Sequence, residues 1–188
     1  MSKPTRRNLI TAAYQLDNWK SRWNKQFRAF FEAQKPLSAD RFWELLPLFR
    51  SEIVHQYQFN VKNAAYEFFR KPACDAVSYT LDEALRFAVT YRQMSEALYT
   101  PLFDVITDRG DDSYGDLLDA MPLAGRVIYE KCLSKYYGNN VAIETAIGDE
   151  VPKLARFIMR GENYIRSTLI DAASERYSYV LRDLRRAG

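Results

Sequence analysis

Hydrophobic residues recur every three or four positions through the first 35 residues, with polar residues between them. Neither glycine nor proline interrupts the chain from Thr5 to Lys35, and Pro36 then provides a stop signal. At about 100° per residue, this spacing places the apolar side chains on one stripe of a helix. The stripe consists of Leu9, Ala12, Leu16, Trp19, Trp23, Phe27 and Phe30. The pattern predicts one long amphipathic helix, or two with a break in the middle.

The same helical spacing continues to about residue 100, punctuated by capping residues. Ser38 is a suitable N-cap for a second helix that runs to about Lys71, with a kink or short break at Pro47. Thr80 and Glu83 then have the spacing of a capping box, in which each side chain accepts from the other residue's backbone N–H. They predict a helix that runs to Thr100.

Helical patterns resume after a loop-like stretch at residues 108–115. They predict helices over 123–137, 141–147 and 152–186, and we find no period-two alternation that would indicate a sheet. We therefore predict an all-α fold in two parts. Residues 1–71 form a long N-terminal helical arm, a helix-turn-helix hairpin, and residues 72–188 form a compact helical bundle.

Composition excludes several classes of protein. The 188 residues are 47% hydrophobic and 27% charged, with only 7 Gly and 7 Pro, which rules out disordered and collagen-like chains. No run approaches the ~18 apolar residues of a membrane span, and the polar N-terminus does not resemble a signal peptide. We expect the mature chain to start at Met1.

Charge is segregated along the chain. Residues 1–35 carry 8 Lys and Arg against 2 Asp and Glu, residues 36–152 carry 11 against 18, and residues 153–188 carry 8 against 4. A cationic arm joined to an acidic body is typical of proteins that meet nucleic acid or an anionic membrane, although a solvated helix face gives the same pattern.

The chain is poorly supplied with catalytic and metal-binding residues. Its single histidine, His55, follows Glu52 in a Glu-x-x-His pair, whereas a metal site in a helical bundle normally uses two such pairs. We interpret His55 as an ordinary, partly buried histidine. Cys74 and Cys132 are too few for a zinc cluster or a disulfide framework. The loop at 108–115 departs from a calcium-binding loop at two positions, so we expect no catalytic residue, metal or cofactor.

The polar face of the arm is suited to a polyanion. Lysine and arginine on one helix face neutralise phosphates and release condensed counterions, whatever the base sequence. The aromatic stripe on the opposite face is too apolar to remain in water. It packs either on the second helix of the hairpin or on the bases of a single-stranded nucleic acid. We favour protein packing for the stripe, and binding to duplex DNA without sequence preference for the cations.

Two stretches resemble a known family. The pattern Thr5-Arg6-Arg7 followed by Trp19 to Phe30 resembles the DNA-clasping arm of major capsid proteins from filamentous and rod-shaped archaeal viruses. Residues 129–147, with their tyrosines, glycine and alanines, are similar to a helix pair late in that family's fold. Together the two stretches cover about fifty residues.

The resemblance implies a structural role in the virion. Subunits would pair, with themselves or with a paralogue, and wrap double-stranded DNA in the A form inside a helical filament assembled in the host cytoplasm. A surrounding lipid envelope is compatible with this architecture. The implied DNA-binding residues are Lys3, Arg6, Arg7, Lys20, Arg22, Lys25, Arg28 and Lys62, with Arg70 and Lys71 as further candidates. Residues 152–188 do not align with the shorter members; they would face a neighbouring subunit, an envelope or DNA.

Two other classes of function fit parts of the pattern. A helical adaptor would dock on a partner protein through Trp19, Trp23 and Phe27, and its binding would tolerate salt. A helical-bundle enzyme would depend on Glu52 or His55 for turnover. The coat-protein hypothesis predicts instead that binding to duplex DNA depends on Arg22, Lys25 and Arg28 and weakens with salt.

Overall fold

The computed structural model describes residues 25–70, 79–98, 118–134, 153–154, 157 and 165–187, with side chains up to residue 179. Secondary structure within these ranges is helical, without a strand, which confirms the all-α prediction. The chain divides into two compact units, Met1–Gln34 and Lys35–Gly188. In the first unit, residues 25–32 are helical.

The first helix of the second unit, α1 (Ala39–Ser51), begins where its capping residue predicts. The Ser38 hydroxyl accepts from the backbone N–H of Arg41 at 3.3 Å. Pro47 lies inside α1 and is exposed, and the helix continues past it. The short break expected at this proline does not occur, because the helix ends at Ser51 instead.

The chain leaves the helix after a wider, π-helical segment, Glu52–Gln56. The backbone N–H of Tyr57 donates to the carbonyl of Glu52 at 2.9 Å, five residues back. Gln58 and Phe59 then adopt positive φ angles of 48° and 71°, a conformation that ends a helix. The single helix predicted to reach Lys71 is therefore interrupted at residues 57–60.

The next two helices are α2 (Val61–Arg70) and α3 (Leu81–Ala97). The capping box predicted for α3 is confirmed: Thr80 Oγ1 accepts from the N–H of Glu83 at 3.1 Å, and Glu83 Oε2 accepts from the N–H of Thr80 at 2.9 Å. Glu83 Oε1 also accepts from Arg41 Nε at 2.8 Å, and this hydrogen bond lowers the pKa of Glu83.

The helix expected to begin at Leu123 begins later. A 3₁₀ turn, Met121–Ala124, precedes Gly125, and α4 (Arg126–Leu133) follows. Gly125 has a φ of +94°, which L residues with a side chain rarely adopt, so it separates the two helical segments. The last helix of the described ranges, α5 (Ile165–Ala187), overlaps the C-terminal part of the helix predicted over residues 152–186 and ends one residue later.

The core of the second unit is built from aromatic rings on α1, α2 and α3. Phe87 stacks on Phe42 at a centroid distance of 5.0 Å and packs against Phe68 at 4.9 Å. Phe49 meets Phe68 edge-on at 5.3 Å, and all four rings are at most 1% exposed. Tyr91 joins this cluster and is fully buried. Such edge-on and offset pairs contribute about 0.5–1.5 kcal/mol each beyond the area they bury.

The predicted domain boundary at residue 71 differs from the boundary between the two compact units, which lies between Gln34 and Lys35. Helix α5 packs mainly against α2 and also against α3, so residues 61–70 belong with the C-terminal helix. The physical reason is the apolar face of α2, where Ala64, Ala65, Phe68 and Phe69 are all buried. The second helical region is thus part of the bundle that was predicted to start at residue 72.

Candidate nucleic-acid interface

The helical segment at residues 25–32 has one buried and one exposed side. Phe27 and Phe31 are 4% and 3% exposed, and their ring centroids lie 6.0 Å apart. Lys25 and Arg28 are exposed. Since residues three and four apart are neighbours on a helix, the aromatic pair fixes one side while the two cations occupy adjacent positions on the surface.

Neither Lys25 nor Arg28 forms an ion pair with another residue in the described ranges. Glu32 is also exposed and follows Arg28 by one turn, so the cationic surface ends there. Two lysine or arginine side chains one turn apart are about 5–6 Å apart at their Cβ atoms. That spacing suits two phosphate oxygens on one strand or across a groove, without any base contact.

The predicted apolar stripe is wrong in one detail at the end of this helix. It included Phe30, which is 41% exposed, and omitted Phe31, which is buried. Phe31 follows Phe27 by four positions and so lies about 40° from it around the helix, whereas Phe30 lies about 60° away on the other side. The ring of Phe30 still contacts Phe27, at a centroid distance of 6.3 Å.

Most of the proposed DNA-binding residues lie outside the described residues. These are Lys3, Arg6, Arg7, Lys20 and Arg22, and the same holds for Lys71, for the loop at 108–115 and for residues 135–147. Trp19 and Trp23 of the stripe lie there too. Lys25 and Arg28 are candidates that lie one turn apart on the same helical segment.

Lys62 and Arg70 lie on α2, in the second compact unit. Both are exposed, and Arg70 Nε contacts Glu67 Oε1 at 3.1 Å.

Residues with catalytic potential are placed as follows. His55 lies in the π-helical segment and is exposed, so the expectation of a partly buried histidine is wrong. Cys132 is buried on α4, and burial raises the pKa of its thiol to about 11, so it stays protonated at neutral pH. Within the described ranges, no three His, Cys, Asp or Glu residues lie close enough together to hold a metal ion.

The structure also forms a cavity that the sequence pattern did not predict. It has a volume of about 390 Å³ and lies between α1, the π-helical segment and the start of α4. We call it the basic cavity; in the described ranges its polar and aromatic lining is Trp43, Arg50, Ser51, His55 and Arg126, and its other lining residues are Leu46, Pro47, Val54 and Gly125. The α1 residues share one helix face, a signal present in the sequence, but only tertiary packing brings Arg126 to them.

Comparison with protein-family models, with curated proteins and with solved structures gives no match. Among the helices of the described ranges, none combines the length and the apolar character that crossing a membrane requires.

Proposed function

We propose that this chain is a structural coat subunit that binds double-stranded DNA without reading its sequence and assembles with other copies into a helical filament. The observation that carries the proposal is the helical segment at residues 25–32. Its buried Phe27 and Phe31 hold the helix in place, and its exposed Lys25 and Arg28 present two adjacent positive charges.

Charge along the chain supports the same function. The first 35 residues carry 8 Lys and Arg against 2 Asp and Glu, so Lys25 and Arg28 lie in the most cationic part of the sequence. Phosphate binding by such residues releases counterions, and the binding constant then falls with salt in proportion to the number of phosphates neutralised. This term contains no base recognition, which suits a protein that covers a whole genome.

The acidic middle of the chain supports assembly. Residues 36–152 carry 18 Asp and Glu against 11 Lys and Arg. A basic segment on one subunit complements an acidic body on the next, and a heterologous contact of this kind repeats as a helix when it does not close into a ring. We propose that the other partners of the chain are therefore further subunits, as a homodimer or with a paralogue.

The test is retention on duplex DNA over a range of salt concentrations. We compare the full chain with a Lys25→Ala/Arg28→Ala variant and with a matched control, Arg92→Ala/Lys131→Ala, which removes the same charge from α3 and α4. The slope of log K against log salt is negative, and loss of two phosphate contacts makes it shallower by about 2. We expect this shallower slope for the first variant and an unchanged slope for the control.

Two results would contradict the proposal. One is an intact slope in the Lys25→Ala/Arg28→Ala variant; the other is retention that does not respond to salt at all. Salt-tolerant binding to a partner protein that depends on Trp19, Trp23 and Phe27 would favour the adaptor.

Negative-stain microscopy of the chain with long duplex DNA tests assembly, and we expect regularly striated filaments.

A further inference from the structure

The basic cavity concentrates donors of one kind. Arg50, His55 and Arg126 line it, together with the hydroxyl of Ser51, and none of the lining residues in the described ranges is acidic. Arginine guanidinium and imidazole N–H groups are the donors that proteins use for phosphate oxygens. Three such side chains on one wall are suited to an anion.

Two carboxylates outside the cavity lining hold Arg126 in position. Its Nη1 donates to Asp40 Oδ1 at 2.9 Å, and its Nε donates to Glu130 Oε1 at 2.7 Å. Neither bond uses Nη2. The guanidinium is thus oriented by two partners while part of its donor set remains for a ligand in the cavity, although the two carboxylates reduce the local net charge.

The backbone at the start of α4 adds to this polarity. Gly125 precedes the helix, and α4 has no side-chain cap there. In the described part of the chain, no heavy atom lies within 4 Å of the point where a Cβ on Gly125 would stand, so this end of the cavity is open to a ligand. The first N–H groups of a helix carry partial positive charge, which supports the anion preference of the arginines.

An aromatic surface lies beside these donors. Trp43 is half-buried in the cavity wall. Its ring packs edge-on against Phe42 at 5.0 Å and against Tyr129 at 5.4 Å, and the Tyr129 hydroxyl donates to the carbonyl of Met94 at 2.8 Å. These contacts fix the indole, so that a planar ring can pack on it without a loss of side-chain freedom.

We propose that the basic cavity binds a nucleoside monophosphate, with the phosphate at Arg50, His55 and Arg126 and the base against Trp43. The cavity volume of about 390 Å³ lies within the ~300–1,000 Å³ of small-molecule sites. A bare phosphate would leave the aromatic wall unused, and a nucleoside would leave the cationic wall unused. This site is separate from the DNA-coating function, and its lining residues in the described ranges belong to the second compact unit.

The test is equilibrium dialysis of the full chain against AMP, adenosine and inorganic phosphate. We expect saturable binding of AMP, with adenosine and phosphate each at least tenfold weaker. Arg50→Gln weakens AMP binding at least tenfold, whereas the matched cation change Arg92→Ala, outside the cavity, leaves it unchanged. Trp43→Phe weakens AMP binding while the affinity for inorganic phosphate is retained. Should Arg50→Gln fail to fold, His55→Ala at an exposed position is expected to lower AMP affinity in its place.

Three results would overturn the site: no saturable binding of AMP, equal binding of adenosine and AMP, or AMP affinity that is unchanged in Arg50→Gln. If AMP does not bind but Arg50→Gln lowers retention on duplex DNA, the cavity serves the DNA backbone and the proposal is wrong. The Lys25→Ala/Arg28→Ala variant separates this proposal from the coat function, because it is expected to weaken DNA binding and to retain AMP binding.

Discussion

Asp119 is a buried carboxylate that joins two distant parts of the second unit. Its side chain is 5% exposed and accepts from Arg166 Nε at 2.6 Å, while the backbone N–H of Arg166 donates to the same carboxylate at 2.9 Å. The backbone carbonyl of Asp119 accepts from the hydroxyl of Tyr91 at 2.9 Å. This residue therefore ties the segment before α4 to the start of α5 and to the aromatic core.

Burial raises the pKa of Asp119 from 3.8 to about 6, against the opposing effect of Arg166. The folded state then binds a proton more tightly than the unfolded state, so this group stabilises the fold most below pH 4 and loses that contribution as the pH rises through 6. A shift of about two units corresponds to about 3 kcal/mol. We predict that the free energy of unfolding of the wild type, relative to Asp119→Asn, falls by most of this amount between pH 4 and 7.

Urea denaturation of both proteins at several pH values measures this difference. Comparison with the asparagine variant cancels the titration of the other carboxylates, which occurs in both chains. A difference that stays constant over this range, or one that grows with pH, would show that Arg166 dominates and that Asp119 is ionised throughout.

At the scale of helices, the local sequence predicted starts better than ends. Ser38 and Thr80 cap the helices they were expected to cap, because an N-cap depends on one side chain and the next three backbone N–H groups. The break after α1 depends instead on the positive φ angles of Gln58 and Phe59, residue types that carry no turn signal. Pro47 was the residue with such a signal, and the helix runs through it.

The capping box at α3 gives a stability prediction. Thr80→Ala removes the acceptor for the N–H of Glu83, and such a change typically costs about 1 kcal/mol. Thr80→Ser retains the hydroxyl and is the matched control; because serine is at least as good an N-cap as threonine, we expect little or no loss of stability. Chemical denaturation monitored by circular dichroism distinguishes the two, and equal losses in both variants would mean that the methyl group matters rather than the cap.

At the scale of the whole molecule, residues close to both ends of the second unit share one core. Helix α5 packs on α2 and α3, with Ile165, Leu169, Ala172 and Ala173 buried. The sequence predicted each of these helices as an amphipathic element, but amphipathicity shows only that a face is buried, not which helix covers it. The same limit applies to the basic cavity. The spacing of Trp43 and Arg50 places both on one face of α1, but no sequence pattern shows that Arg126 lies next to them.

This arrangement predicts cooperative unfolding of the second unit. Leu169 is fully buried on α5, and Leu169→Ala is expected to destabilise the fold by about 2–5 kcal/mol. Because α1 shares the core, the loss should lower the thermal transition seen by far-UV circular dichroism and by the fluorescence of Trp43, in a chain where Trp19 and Trp23 are Phe. The exposed change Asp171→Ala is the control, with an effect below about 0.5 kcal/mol. If circular dichroism and Trp43 fluorescence gave different transition temperatures, α1 would unfold independently of α5.

The π-helical segment at Glu52–Gln56 makes the wall of the basic cavity tolerant of a shorter chain. A π turn is formally an α-helix with one extra residue, and its hydrogen bonds join residues five apart. Arg50 and His55 are five positions apart, so deleting one amino acid between them would let the backbone relax to an ordinary helix and leave them four apart. Residues four apart are neighbours on an α-helix, so the two side chains would still share one face. Loss of one residue at this place in descendants of the chain is therefore expected to preserve the site.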